Sequence, residues 1–336
     1  MPAASLNRFR RNFAGRKVLV TGGLGFIGSN LTRTLVGLGA RVTIIDCLIP
    51  EYGGNARNIA GLERDVVVHI ADVRDQRRLP GFIRNQDFLF NLAGQTSHMD
   101  SMTDPDTDLE INCRAQLSIL EACRLHNPAV RIVFASTRQI YGRPDYLPVN
   151  EAHPLRPVDV NGINKLAGEM YHLLYSRVHG VRSTVLRLTN TIGPRMRVKD
   201  ARQTFIGVWI RNALEGRPFQ VWGGEQRRDF TYVDDAVEAF LVASVRRQAE
   251  GGVFNLGGVG HMSLRELADL LVLVCGPARA RYESRAFPRS RKSIDIGDFY
   301  ADGRLIRQVL GWAPKTGVQK ALTRTCLLYT SPSPRD

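Results

Sequence analysis

Three glycines at three-residue spacing are the first residues of this chain whose types and positions imply chemistry. Residues 21–28 read Thr-Gly-Gly-Leu-Gly-Phe-Ile-Gly, directly after the apolar run Lys17-Val-Leu-Val and ahead of a helical pattern from Phe26 to Leu38. A strand, a glycine turn and a helix in that order make a phosphate cradle. Gly22 permits the tight turn, Gly25 lets a pyrophosphate approach the backbone, and Gly28 lets the helix pack closely on the strand. Phe26, Ile27 and Gly28 open the helix, whose N-terminus presents free N–H groups and a partial positive charge. An acid follows at the expected distance: Asp46 ends a second apolar strand, Arg41-Val-Thr-Ile-Ile-Asp, 18 residues beyond Gly28. A carboxylate there accepts both ribose hydroxyls of NAD and repels the 2′-phosphate of NADP. Cys47 and Leu48 come next, with no arginine to receive that phosphate, so the cofactor read from these residues is NAD.

The elements that must position this cradle are legible in the alternation of apolar runs. Strands are expected at 17–21, 41–46, 65–70, 87–92, 130–136 and 181–188, with helices between them, notably 108–126 and 161–179. That βαβ rhythm predicts an α/β fold: a Rossmann-type, doubly wound parallel sheet covered on both faces. After residue 190 the rhythm loosens into helices at 203–215, 233–247, 263–275 and 302–310 with short strands near 219–222 and 253–256. The expected division is a nucleotide-binding domain over 16–190, with contributions from about 230–260, and an interleaved, smaller C-terminal α/β substrate lobe over 191–325. Ligands in such sheets bind beyond the carboxyl ends of the strands, where the lobe would close a cleft. A last helix is expected at 317–325. The final segment 326–336 is Pro/Ser-rich, lacks periodicity and resembles a translated sequencing adapter, so it is set outside the fold.

Bulk composition narrows the class. The chain has 336 residues, is 43% hydrophobic and carries a formal net charge of +14. No apolar run reaches the ~18 residues of a membrane span, and the Arg-rich start lacks the apolar core of a secretory signal. Five cysteines, widely spaced and without a Cys-x-x-Cys pair, argue against a disulfide framework and against a metal site, and fit a reducing cytoplasm. The positive charge implies an anionic partner. However, the 40 arginines against 6 lysines are dispersed rather than striped with aromatics, which favours a small diphosphate over nucleic acid.

Further motifs carry a resemblance. These are Ala71-Asp-Val-Arg-Asp, Asn91-Leu-Ala-Gly, Ser136-Thr137 leading into Tyr141-Gly142, Leu186-Arg-Leu-Thr-Asn, Gly193-Pro-Arg and Arg228-Asp-Phe-Thr-Tyr-Val-Asp-Asp. With the glycine turn they make the chain, over about residues 16–325, resemble the extended short-chain dehydrogenase/reductases that modify nucleotide sugars: epimerases, dehydratases and decarboxylases. The resemblance implies that Asp72 and Val73 hold the adenine and that Ala93 and Gly94 pass under the cofactor. It implies that Thr137 hydrogen-bonds the reacting sugar hydroxyl and Lys165 grips the nicotinamide ribose. Asn190 would contact the substrate, and Arg228 would clamp its diphosphate, with Arg291 or Lys292 as a second clamp. It also implies a homodimer through helices 108–126 and 161–179, whose apolar stripes include Leu109, Leu117, Leu120, Met170, Leu173 and Leu174.

The chain departs from that family at the centre of the chemistry. The family pattern is Tyr-x-x-x-Lys; here it reads Asn161-Gly-Ile-Asn-Lys165. An amide is no base at neutral pH, and Tyr171 and Tyr175 lie along the helix, away from the site. Dehydratases and decarboxylases of the family carry acids after the catalytic Thr, where this chain has Arg138 and Gln139, so neither reaction is expected. Arg138 either binds a polar or acidic substituent of the sugar or makes a salt bridge to a neighbouring loop. His98, in Gln95-Thr-Ser-His-Met-Asp100, is either a replacement base or a histidine hydrogen-bonded in its loop. Asp100 and Tyr141 are further candidates. The expected activity is epimerisation of a nucleotide-diphosphate sugar through a transient ketone. A pyranose–furanose mutase and a non-catalytic NAD or sugar-nucleotide binding protein stand as alternatives.

Overall fold

The computed structural model describes residues 3–52, 54–202, 204–288 and 294–330. Arg291 and Lys292, expected as a second diphosphate clamp, lie outside the described residues. The chain opens with helix α1 (Ala3–Phe13), which the sequence reading did not anticipate; it buries Phe9 and Phe13 against the sheet. Strand β1 (Lys17–Thr21) leads through the glycine turn into α2 (Phe26–Gly37), followed by β2 (Arg41–Asp46), β3 (Val66–Ile70) and β4 (Phe88–Asn91). Strand β5 (Arg131–Thr137), helix α3 (Val160–His179) and β6 (Arg182–Leu188) come next. Helix α4 (Val233–Val245) precedes β7 (Val253–Leu256). These seven strands form one sheet in the order β7-β6-β5-β4-β1-β2-β3, with parallel pairing throughout. The strand at 253–256, which follows the lobe's first elements in sequence, thus completes the nucleotide-binding sheet.

Alternation along each strand sends side chains to opposite faces. Val18, Val20, Val42, Ile44, Phe88 and Phe90 join one core with α1, α2 and α4, while Leu19, Ile45, Leu89 and Ile132 join another with helix 115–126 and Tyr175 of α3. Burial of each such side chain contributes roughly 1.5–3 kcal/mol. Both faces are covered, so every central strand reads as a nearly continuous apolar run. Asp159 caps α3 by accepting from Gly162 N at 2.6 Å, and Gly180 ends it in the left-handed region at φ 68°.

A third core belongs to the lobe, where Trp209, Ile210, Phe219, Leu267 and Leu271 pack together. Its helices at 205–214 and 264–275 match the expected ones within two residues. Two boundaries differ. The expected helix 108–126 is a composite: a short helix at Pro105–Leu109, a π-turn at Glu110–Arg114 and a helix at Ala115–His126. The last helix does not stop at 325 but runs Val318–Thr330, with Cys326 buried and the Tyr329 hydroxyl donating to Met196 O at 2.5 Å. No helix among the described residues is long and apolar enough to cross a membrane.

Candidate active site

The strand order reverses between β1 and β4, and a cavity opens there beyond the carboxyl ends of the strands. The glycine turn forms its floor. Gly22 sits at φ 68°, and a Cβ there would lie 2.9 Å from Leu92 O, so the loop after β4 crosses directly over the turn. A Cβ on Gly28 would stand 2.9 Å from both Gly22 C and Gly23 Cα, and closer still to Gly22 O. Helix α2 therefore starts in contact with the strand end. Its N-cap, Gly25, has no side chain to occupy the first-turn N–H groups. Such a backbone concavity fits a diphosphate.

The residues expected on the adenosine side line the same cavity. Asp46 accepts from Leu24 N (3.0 Å) and Leu48 N (2.9 Å), which fixes its carboxylate at the cavity wall. Burial raises its pKa, and the two amide bonds pull against that rise. Asp72 and Val73 line the wall beyond it. Burial acts to raise the Asp72 pKa, but the Arg74 guanidinium and backbone N–H more than offset it, and the carboxyl stays below its usual range. Phe26, Ile27, Ala93 and Gly94 also line the cavity. A Cβ on Gly94 would lie 2.7 Å from Lys165 Nζ, so the lysine tip reaches directly over this glycine.

At the other end lie Thr137, Arg138, Asn161, Lys165 and Asn190. Thr137 ends β5, and its hydroxyl accepts from Gln139 N at 3.2 Å. Lys165, on the first turns of α3, sits over the Phe134 ring with Nζ 3.3 Å from Ala135 O. Burial pulls its pKa down to about 8, while Asp108 works the other way. Asn161 does not face the cavity as a free group. Its Nδ2 donates to Gln95 O (2.9 Å) and Asp108 Oδ2 (2.9 Å), and its backbone N–H donates to Ser101 Oγ (3.2 Å). Asp108, fully buried, is held on its other oxygen by Asn164 Nδ2 at 2.8 Å. At the position where the resemblance places a tyrosine, this chain has an amide network.

His98 lines the same cavity, and its Nδ1 lies 3.0 Å from Asp159 Oδ2. Burial acts to raise the Asp159 pKa, but His98, Gly162 N and Gln139 hold it below the usual carboxylate range. Asp159 carries no motif and was not singled out from the sequence; its signal was its place two residues before Asn161, at the cap of α3. The other candidate bases are elsewhere. Tyr141 is in the core, donating to Asn255 Oδ1 (2.6 Å) and accepting from Arg187 Nη1 (2.7 Å), with its pKa pushed up to about 12 mainly by burial. Asp100 pairs with Arg202 at 3.0 Å, off the cavity wall. Arg228 is buried at the lobe, donating to Arg227 O and Gly297 O and facing Asp295 at 3.6 Å. It is not on the wall of this cavity. No cluster of metal-binding side chains occurs among the described residues.

Residues 18–257 match the NAD dependent epimerase/dehydratase family. The chain is 31% identical over 309 residues to a putative UDP-glucose 4-epimerase of Methanocaldococcus jannaschii, covering 91% of this chain and 96% of that protein. Its fold is similar to that of a UDP-glucose 4-epimerase from Thermotoga maritima solved with UDP-glucose, at TM-score 0.85 and 28% identity, covering 93% and 98% of the two chains. It is likewise similar to a Thermus thermophilus UDP-glucose 4-epimerase solved with NAD, at TM-score 0.83 and 27% identity, covering 94% and 100%. The cradle, the ribose acid and these likenesses agree: the chain belongs to the NAD dependent epimerase/dehydratase family, of the extended short-chain dehydrogenase/reductase type.

Proposed function

We propose that this chain epimerises a nucleotide-diphosphate sugar through a transient ketone, with the His98–Asp159 pair taking the part usually given to a tyrosine. The observation that carries this reading is one cavity lined by Thr137, Lys165 and His98 together, with Asp159 3.0 Å from the imidazole. The family supports the reaction class, and the curated UDP-glucose 4-epimerase relatives support a nucleotide sugar as substrate.

The glycine turn holds the cofactor diphosphate, Asp46 its adenosine ribose, and Asp72 and Val73 the adenine, while Ala93 and Gly94 pass beneath it. NAD, when bound, supplies a reversible hydride acceptor. Lys165 adds a buried positive charge beside the nicotinamide ribose. Thr137 hydrogen-bonds the sugar hydroxyl, and Asn190 orients the sugar from the facing strand. His98 receives the hydroxyl proton on Nε2, the ring nitrogen away from the Asp159 carboxylate 3.0 Å from Nδ1, and returns it when the ketone is reduced. A carboxylate behind an imidazole fixes its tautomer and stabilises the protonated ring. Arg228 lies off this wall, so this reading gives it no contact with the substrate diphosphate.

The test is His98→Asn with NAD and a panel of nucleotide sugars. Loss of about 10²–10⁴-fold in turnover, with NAD affinity retained, is expected of a general base. Unchanged turnover would remove His98 from the reaction. Product ring size by NMR separates epimerisation from a mutase, and the absence of any turnover or transient NADH across the panel leaves only the binding role.

We also propose a homodimer. Ile163, Met170, Leu174 and Val178 are exposed along α3, and Leu109 and Leu125 are exposed on the neighbouring helical run. Their spacing of seven and four residues sets those of α3 on one stripe. Leu120, expected on that stripe, is instead fully buried in the chain's own core.

A further inference from the structure

Arg138 is a partly buried cation with one inaccessible, unpartnered guanidinium nitrogen. Its Nη2 donates to Asn190 Oδ1 at 3.3 Å, its guanidinium lies over the Phe299 ring at 5.4 Å, and its Nη1 is buried with no partner. It forms no ion pair among the described residues. The two buried arginines near it differ. Arg187 is locked to Glu169 at 2.5 Å, and Arg228 has two carbonyls and Asp295. The acid closest in charge, Asp229, is held through Oδ2 by Ala301 N (3.2 Å) and Gly258 N (3.4 Å), and its Oδ1 is also buried without a partner. Burial lifts the Asp229 pKa to about 6, and the Arg138 charge acts against that rise without a direct ion pair between the two.

An isolated buried charge is expensive unless a ligand completes it. Arg138 directly follows Thr137 and lines the cavity beside Asn190. The ends of β5 and β2 are three strand positions apart, about 14 Å at ~4.8 Å per strand. Arg138 is therefore remote from the Asp46 end of the cofactor and next to the sugar. A planar guanidinium with an unpartnered donor matches a planar carboxylate.

We propose that Arg138, supported by Asn190, is a carboxylate-binding site, and that the substrate is a nucleotide-diphosphate sugar bearing a carboxylate, a uronate. This rests on the nucleotide-sugar reading above, and the test separates the two. Affinities of the NAD-loaded protein for UDP, UDP-glucose and UDP-glucuronate are measured by calorimetry, for the wild type and for Arg138→Met and Arg138→Lys, with melting midpoints as the check on folding. The wild type is expected to bind the glucuronate at least about tenfold more tightly than the glucose, ~1.4 kcal/mol. Arg138→Met brings that ratio to near one, and Arg138→Lys keeps part of it. Equal affinities in the wild type overturn the proposal, as does a ratio that survives in Arg138→Met. Equal weakening of UDP and both sugars in Arg138→Met assigns Arg138 to the diphosphate and also overturns it. Binding of none of the three nucleotides removes the uridine-nucleotide-sugar reading itself, and the uronate site with it.

Discussion

Replacing Gly28 by alanine adds one methyl group at the tightest approach in the proposed cofactor cradle. The new Cβ would stand 2.9 Å from Gly22 C and Gly23 Cα and closer to Gly22 O, where ordinary contact begins at 3.4 Å. All of these are backbone atoms of the turn, so no side chain can swing aside. The turn is pinned by Gly22 N donating to Ile45 O (2.8 Å) and Gly25 N donating to Gly22 O (3.1 Å). The helix is pinned by Leu31 and Leu35, both fully buried. Helix and turn must therefore separate by several tenths of an ångström or more, at a stability cost of about 1–3 kcal/mol, as for other overpacked sites. The same movement displaces first-turn N–H groups from the diphosphate. Losing even two charge-assisted hydrogen bonds, each worth ~1.5–3 kcal/mol, weakens NAD binding by two orders of magnitude or more. Gly37→Ala is the matched control, since nothing lies within 4 Å of its Cβ and it sits at the end of the same helix. It should leave NAD affinity unchanged and raise stability by up to about 1 kcal/mol. Calorimetric NAD titration of both variants decides. A Gly28→Ala protein that is folded and binds NAD within threefold of the wild type refutes the assignment of this turn to the diphosphate.

Three further predictions follow from the same geometry. Asn161→Tyr breaks the amide bonds to Gln95 and Asp108 at a position only 2% exposed. It should lower stability by about 2–4 kcal/mol, seen in the thermal midpoint, without raising turnover; a stable, faster variant would show a site still built for tyrosine. His172 is buried against Phe134, bonded to Ser183, and its pKa is pulled down to about 3, first by burial and then by Lys165. The unfolded chain binds this proton near pH 6.5 and the folded one does not, so stability falls as pH drops from 6.5 toward 3, by up to ~1.4 kcal/mol per pH unit. Asp229, whose pKa is raised, acts in the opposite sense between about 6 and 3.8, so the contribution of His172 is read as the difference in denaturation slope between wild type and His172→Gln. Finally, Met170→Glu with Leu174→Glu places charge on the exposed stripe of α3 and should convert the dimer to monomer in light scattering; a protein already monomeric before substitution removes the dimer proposal.

The local parts of this protein were legible in its sequence because local physics decides them. The glycine turn needs its three glycines whatever surrounds it, and two-sided burial makes each central strand an apolar run. Helix α3 was expected at 161–179 and runs Val160–His179. The identity of Asn161 could be read directly. What Asn161 does could not, since Gln95 and Asp108 reach it from 66 and 53 residues away. The same limit held for inward and outward residues on the two neighbouring helices. Leu120 and Met170 look alike in the sequence, and only the neighbouring helices and sheet send one to the core and the other to the surface.

By itself the sequence determined the fold class, the glycine turn and the absence of a tyrosine at position 161, because each depends on residue type and short spacing. Tertiary structure alone decided what surrounds that position. It brought His98 within 3.0 Å of Asp159 across 61 residues, buried Tyr141 beyond reach, and set Arg138 in the cavity without an ion pair among the described residues. Those outcomes depend on which strand ends the crossover connections bring together, and no spacing within the chain encodes that distance.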